Sequence, residues 1–430
     1  MNHDEQREAT LKTSKSTPDN SAGLVLEVFW RFFLLGWVSF GGPAAHLGYF
    51  RREFVTQRAW LDEAHYVRLV ALSQFLPGPG SSQVGFAIGL HRAGFWGGWA
   101  AFLGFTLPSF FLLLFVALYQ PDSTNRFVVE VINSLKLMAV VVVADAVYGM
   151  ARSFCRSPFT RVLALLTALW MWWFPGLLMQ IAALILAGLL GALAFKLKQI
   201  VPQSELAQQK KTAQSDDAPA SAFKKSAKLG MWVFAGLFVA TLLPSLTGLF
   251  NSNASESLWI LFGHFYQAGS WVFGGGHVVL PLLQSGLQGQ VSEDVFLSGY
   301  AMAQAVPGPM FTLATYLGAM VWPQAPILGA VTATLGVFLP GLLLVLALNS
   351  VWTQSAHRPA LASSMTAVNA AVVGLLLAVF VQPVWSSAVH SGLDLLWVVL
   401  GLLWLRGYHG SVLWLVGGFI VLGLLTAWLG

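Results

Sequence analysis

The residues in this chain best suited to chemistry are neutral, and they occur twice. The pattern A-x-x-Q-x-x-P-G-P runs from Ala71 through Gln74 to Pro77, Gly78 and Pro79, and returns from Ala301 through Gln304 to Pro307, Gly308 and Pro309. A proline removes a backbone donor, restricts the residue before it and clashes with the carbonyl four residues back, so two prolines about a glycine break a helix. A break also starts a new helix, whose free N–H groups and positive dipole end attract an anion. Gly80, Ser81, Ser82 and Gln83 follow the first break, and Met310, Phe311 and Thr312 follow the second. Gln74 and Gln304 stand one turn before their breaks, where their amides can donate. Two half-helices that together hold a small anion are the expectation, with simple packing kinks as the alternative.

Other chemistry-bearing residues surround these. Gly41 and Gly42 before Pro43, and Gly274 and Gly275 before Gly276, either pack closely or expose backbone to a ligand. His46 and His277 follow them. A lone imidazole reads first as a structural hydrogen bonder, with His46 retained as a proton-coupling candidate. Arg31, Arg68, Lys136 and Asp145 fall inside apolar runs, where charge is expensive and functional by default. Lys136 and Arg68 are the residues expected to pair with an anionic substrate. Lys136 and Asp145 are too far apart on one helix to pair locally, so each needs another partner. Glu130 and Asp145 are the carboxylates available for proton coupling. Glu27 and Arg31 are spaced to neutralise each other one turn apart. The single cysteine, Cys155, excludes an internal disulfide and a cysteine metal cluster. No metal or cofactor is expected, no P-loop is present for ATP hydrolysis, and no hydrolase or zinc motif occurs.

The elements that must position these residues are membrane helices. Hydrophobic residues make up 56% of the 430 residues and charged ones 10%, where soluble proteins carry about 25% charged. An all-α, polytopic helical bundle in a lipid bilayer follows. The net charge of +5 collects in loops and reports topology, not nucleic-acid binding. Residues 1–23 form a polar tail without the features of a cleaved signal, so the first apolar run is expected to stay as an anchor. A span needs about 20 apolar residues. Runs near 24–40, 66–90, 95–119, 127–150, 159–174, 176–195, 229–250, 258–275, 297–320, 326–348, 361–384, 393–406 and 411–429 predict about 13 spans. The first set lies in 24–195 and the second in 229–430, which carries one additional preceding span. Between them, 196–228 is a basic, lysine-rich linker that reads as flexible.

Basic residues fix the expected orientation. With the N-terminus and linker cytoplasmic, and the C-terminus periplasmic, most Lys and Arg lie inside. Arg51, Arg52 and Arg58 are the exception, unless the first hairpin does not fully cross.

The two halves are related. Phe40-Gly41-Gly42 recurs as Phe273-Gly274-Gly275, the Pro-Gly-Pro pattern recurs, and Leu103-Gly104 with Leu107-Pro108 recurs as Leu335-Gly336 with Leu339-Pro340. The offsets are 233, 230 and 232 residues. An odd number of crossings between the two starts predicts inverted repeats, with the site near the midplane where they meet. A parallel repeat follows instead if one weak span is spurious. Basic residues of the membrane part fall mostly in the first repeat, which is therefore the expected anion-binding half.

With these residues in view, the chain resembles the chromate ion transporter (CHR) family in its long, two-domain form. Phe40-Gly41-Gly42-Pro43, the stretch from Gln74 to Gly80, Phe273 to His277, and Gln304 with Pro307-Gly308-Pro309 carry the resemblance. It extends from about residue 25 to the C-terminus. It implies a secondary transporter that exports chromate across the bacterial inner membrane and confers chromate resistance. Sulfate or another oxyanion is the alternative cargo, and a non-transporting scaffold or lipid-handling protein is the competing class. A homo-oligomer is compatible with either.

Overall fold

The computed structural model describes residues 21–119, 125–196, 220–247, 257–348, 359–408 and 410–429. Nearly all of the polar tail and most of the linker lie outside them. Among the described residues there are helices and no strand. The first repeat holds α1 (Ser21–Val38), α2 (Gly42–Phe50, prolonged over Arg51–Gln57), α3 (Glu63–Phe75), α4 (Gly80–Tyr119), α5 (Arg126–Phe154), α6 (Pro158–Trp173) and α7 (Leu177–Lys196). Next comes α8 (Ala220–Thr247), which begins inside the stretch read as linker. The second repeat holds α9 (Leu258–Ser270), α10 (Val279–Gly286), α11 (Glu293–Ala305), α12 (Leu313–Val321), α13 (Pro326–Leu348), α14 (Pro359–Val379), α15 (Gly392–Leu402) and α16 (Val412–Leu429).

The helix ends follow from the sequence. Asp62 caps α3 by accepting from His65 N–H at 2.7 Å, and Ser292 caps α11 by accepting from Val295 N–H at 3.3 Å. α3 and α11 end at Phe75 and Ala305, two residues before the first proline of each break. Leu76 and Val306 are both extended, with ψ of 143° and 150°, the conformation that a following proline imposes.

Each of the thirteen apolar runs contains helix among its described residues, though 66–90, 258–275 and 297–320 are helical only in part. Among the described residues, seven helices are long and apolar enough to cross a membrane by length and composition. The runs 66–90 and 297–320 are not single interrupted crossings. Each is a hairpin of two half-length helices. Ala93 and Gly94 bend α4 into α4a (80–92) and α4b (95–119). The rings of His65, at the start of α3, and His91, at the end of α4a, lie 4.6 Å apart. The arms therefore run side by side with Pro77-Gly78-Pro79 at the tip. In the second repeat a Cβ on Gly299 of α11 would lie 2.4 Å from the Tyr316 ring of α12, so these arms pair likewise.

α1 and α2 form another hairpin, tipped by Phe40-Gly41-Gly42. Glu27, early in α1, meets Arg58 at 3.7 Å and Arg92 at 3.0 Å. The expected Glu27–Arg31 pair gives way to these partners from other hairpin arms. Arg51, Arg52 and Arg58 consequently stand on the same face as the N-terminal end of α1. The anomaly in the charge distribution disappears because the hairpin turns back.

The contacts of α5 set the relative direction of the repeats. α4b rises 1.5 Å per residue for about 37 Å and so crosses to the opposite face, where α5 begins. Along α5, Lys136 reaches Asp294 at the outer end of α11. Farther on, Met150 and Phe154 reach the tip, with Met150 Sδ 3.8 Å from a Cβ built on Gly275 and the Phe154 ring 3.4 Å from one on Gly274. Travelling from the opposite face, α5 thus passes the outer end of the second repeat's hairpins before their tips. The second set enters from the opposite face. The repeats are inverted.

They also interlock. α5 packs on α15 and α16, where Cβ atoms on Gly401 and Gly423 would lie 2.8 Å from Val141 and 2.6 Å from Val131. Reciprocally, α14 packs on α6 and α7, with Ser363 Oγ donating to Gly191 O at 2.8 Å.

Candidate functional site

Four hairpin tips, two from each face, meet inside the bundle. Gly78 N–H donates to Val272 O at 2.8 Å, and Gly308 N–H donates to Ser39 O at 2.9 Å. Val272 and Ser39 each precede a Phe-Gly-Gly, so each Pro-Gly-Pro tip is bonded to the other repeat's Phe-Gly-Gly tip. Gly78 packs on Gly341 of α13 and Gly308 on Ser109 of α4b, the residues that follow Pro340 and Pro108. A Cβ on Gly276 would lie 3.1 Å from Pro43 and 2.7 Å from Met310. The breaks are at one centre.

The first break gathers five buried polar atoms that lack a partner, while Gln267, Trp271 and Asn369 each carry one in the second repeat. His46 Nδ1 lies 3.2 Å from Ser81 Oγ, tying α2 to the start of α4a. Gln83 Nε2 donates to Pro77 O at 2.8 Å and to Gly341 O at 3.3 Å, stapling the tip to α13. Around these bonds Ser39 Oγ, His46 Nε2, Ser82 Oγ, Gln83 Oε1 and Thr106 Oγ1 are buried without a hydrogen-bond partner. A buried polar group left unmatched costs about 1–3 kcal/mol, so several on adjoining elements mark a place where a polar ligand or water completes the bonding. Add the free N–H groups of the first turn of α4a, and hydroxyl, imidazole and backbone donors surround one region. This set suits a small oxyanion and supplies dipoles where no side-chain cation is required.

At the second break the polar groups bond to the protein. His277 Nδ1 lies 2.9 Å from Tyr300 OH, Thr312 Oγ1 donates to Pro309 O at 2.7 Å, and Gln304 Nε2 lies 2.6 Å from Met310 Sδ. Gly274 and Gly275 face α5 and α14, where Asn369 Oδ1, buried and unpartnered, lies 3.1 Å from a Cβ built on Gly274.

The centre brings together Gly41, Gly42, His46, Pro77 to Ser82, Gly274, Gly275 and Pro307 to Pro309. It leaves others outside. Gln74 is exposed and Arg68 half-buried on α3. Lys136 is held by Asp294, and Asp145 by Arg406 at 2.7 Å. The two partners needed by Lys136 and Asp145 both come from the other repeat. Glu130 approaches Thr426 at 3.5 Å. Among the described residues no three His, Cys, Asp or Glu side chains gather as a metal site. Ser39, Thr106 and Asn369 belong to the centre without having been singled out. Asn369 had a signal, being the one amide in α14.

The signature described as chromate transporter matches residues 26–192 and matches again over 259–424. The chain belongs to the chromate transporter family. Its duplicated match frames the same two sets of helices that interlock here. The chain is 27% identical over 373 residues to a probable chromate transport protein of Synechococcus elongatus, covering 84% of this chain and 85% of that one. It is 25% identical over 326 residues to a chromate transport protein of Pseudomonas aeruginosa, covering 73% and 70%. An uncharacterized transporter of Methanocaldococcus jannaschii is 24% identical over 356 residues, 81% of each chain. No solved structure matches the chain.

Proposed function

We propose that this family member exports chromate from the cytoplasm across the bacterial inner membrane by alternating access about the four tips, and so confers chromate resistance. The observation that carries the reading is the reciprocal bonding of the tips, beside buried polar atoms that lack partners. Half-helices that end at the midplane of inverted repeats suit a carrier. Oxyanion binding through neutral donors is strong enough to select and weak enough to release, as conduction demands.

Orientation follows from charge. Arg51, Arg52, Arg58 and Arg92 lie with α1's N-terminal end, where Arg58 and Arg92 meet Glu27, whereas Arg126 starts α5 on the other face. The basic face is cytoplasmic by the positive-inside rule. A potential of about 100 mV, negative inside, drives each charge by about 2.3 kcal/mol, so a departing dianion gains about 4.6 kcal/mol. That sustains a more than thousandfold gradient, on the order of three decades, without ATP. Of the proton-coupling candidates His46 is the one at the centre, and we assign coupling, where it operates, to His46 ahead of Glu130 and Asp145.

Inside-out vesicles test the reading. Labelled chromate should accumulate when the lumen is made positive, with sulfate competing weakly. Uptake that ignores the imposed potential, or no uptake by purified protein in liposomes, overturns it. Strong competition by sulfate reassigns the cargo.

A further inference from the structure

We infer that Lys136 and Asp294 form an exchangeable counter-ion pair, in which an exported oxyanion replaces the Asp294 carboxylate on Lys136 at the extracytoplasmic mouth. This rests on the export reading above and adds a second anion subsite to it, away from the tips.

The pair is asymmetric. The Lys136 side chain is 8% exposed and that of Asp294 is 75% exposed. A buried ammonium needs a counter-charge, because stripping one partner from a buried pair leaves an uncompensated charge. Lys136 sits ten residues into α5 and cannot follow its partner into water. Asp294 is free to leave. It stands in the first turn of α11, just after the capping residue Ser292, where the helix dipole stabilises a carboxylate with or without Lys136. Its departure therefore costs little, provided another anion takes its place.

A cavity lies beside the start of α11. It has a volume of about 630 Å³ between α6, α7, α10, α11 and α14, and its walls include Gln180, Gln284, Ser285, Gln288, Ser292 and Glu293. Pro175 and Gly289, on turns at the face opposite the N-terminus, also line it, so it opens to that face. Four amides and two hydroxyls stand in its wall among apolar residues such as Trp172, Phe296 and Leu375, so an oxyanion would find donors along part of the wall. Glu293, in that wall, is the residue before Asp294 at the start of α11. The carboxylate that holds Lys136 at rest also lets it go. A dianion bound there is repelled by Glu293 and Asp294 towards bulk water, which favours release over retention.

The test uses full-length protein in liposomes and measures chromate flux with KM and maximal rate separated. Asp294→Asn removes the competing carboxylate, so KM should fall by about tenfold while the maximal rate falls comparably, because release now strands the ammonium. Lys136→Gln should raise KM. The charge swap Lys136→Asp with Asp294→Lys separates exchange from bracing, because it restores the pair but buries the wrong charge. The swap should remain inactive. Recovery of normal flux by the swap, or an unchanged KM in Asp294→Asn, overturns the proposal. If Asp294→Asn fails to insert, the swap decides alone, and if neither inserts the pair is a brace and the proposal falls. Flux by the unsubstituted protein tests the export reading separately.

Discussion

Replacing Gly78 by alanine should damage the centre more than the same change at Gly308, and the structure says by what route. Both glycines have positive φ, 124° and 102°, where an L side chain costs about 1–3 kcal/mol. Their surroundings differ. A Cβ at position 78 would lie 2.7 Å from Gly341 Cα, which is backbone of a packed helix. At position 308 the obstacle is Ser109 Oγ at 2.7 Å, the movable end of a side chain. Overpacking adds about 1–3 kcal/mol where nothing yields, so Gly78→Ala should cost about 2–6 kcal/mol in all. Gly308→Ala should fall at the lower end, and Ser109→Gly should relieve its steric part. A double-mutant cycle on positions 109 and 308 should give a coupling of about 0.5–3 kcal/mol. The assay is thermal unfolding of detergent-solubilised protein with chromate flux on the same variants. Equal thermal stability for the two alanine variants, or no coupling between 109 and 308, refutes the docking of each tip on its opposite repeat.

Three further outcomes are expected. Ser82→Ala should raise the KM for chromate about ten- to a hundredfold, the loss of one hydrogen bond of about 1.5–3 kcal/mol to a charged group; an unchanged KM in flux assays excludes Ser82 from the site. Arg52→Cys should react with an impermeant maleimide only from the cytoplasmic side, and Gln288→Cys only from the other; labelling of both from one side contradicts the hairpins. Asp145→Asn breaks a pair whose side chains are 37% and 39% exposed, so its stability should move by about 1 kcal/mol or less; a large drop in thermal unfolding temperature shows that Asp145 does more than hold Arg406.

The breaks and the repeat were legible because they depend on local chemistry, whereas the bonding of each Pro-Gly-Pro to the other repeat's Phe-Gly-Gly was not. Leu76 and Val306 are extended because proline follows them, and nothing distant alters that. The direction of the chain after a break was not legible. Pro77-Gly78-Pro79 interrupts a helix in the same way whether the second arm continues outward or folds back, and only the meeting of His65 with His91 decides. Arg51, Arg52 and Arg58 did carry the hint, as charges on the wrong side of a supposed crossing. Glu27 shows the limit from the other direction. Its neighbour one turn away was the natural partner, yet Arg58 and Arg92 arrive by tertiary folding, which spacing along one helix cannot reveal. Lys136 was singled out by its charge in an apolar run, but its distance from the tips comes from the way α5 crosses to the other repeat.

The exchange of α5 and α14 between the repeats has a consequence for biogenesis. While the ribosome is still making the second half, the flank of α5 meant for α15 and α16 can meet only lipid. The early product is an unfinished cradle, and consolidation must wait for the last helices to arrive. A polypeptide with only one such unit could close the same way only by finding an upside-down twin. It would then need to insert in both senses, and a strong positive bias at one end would work against it.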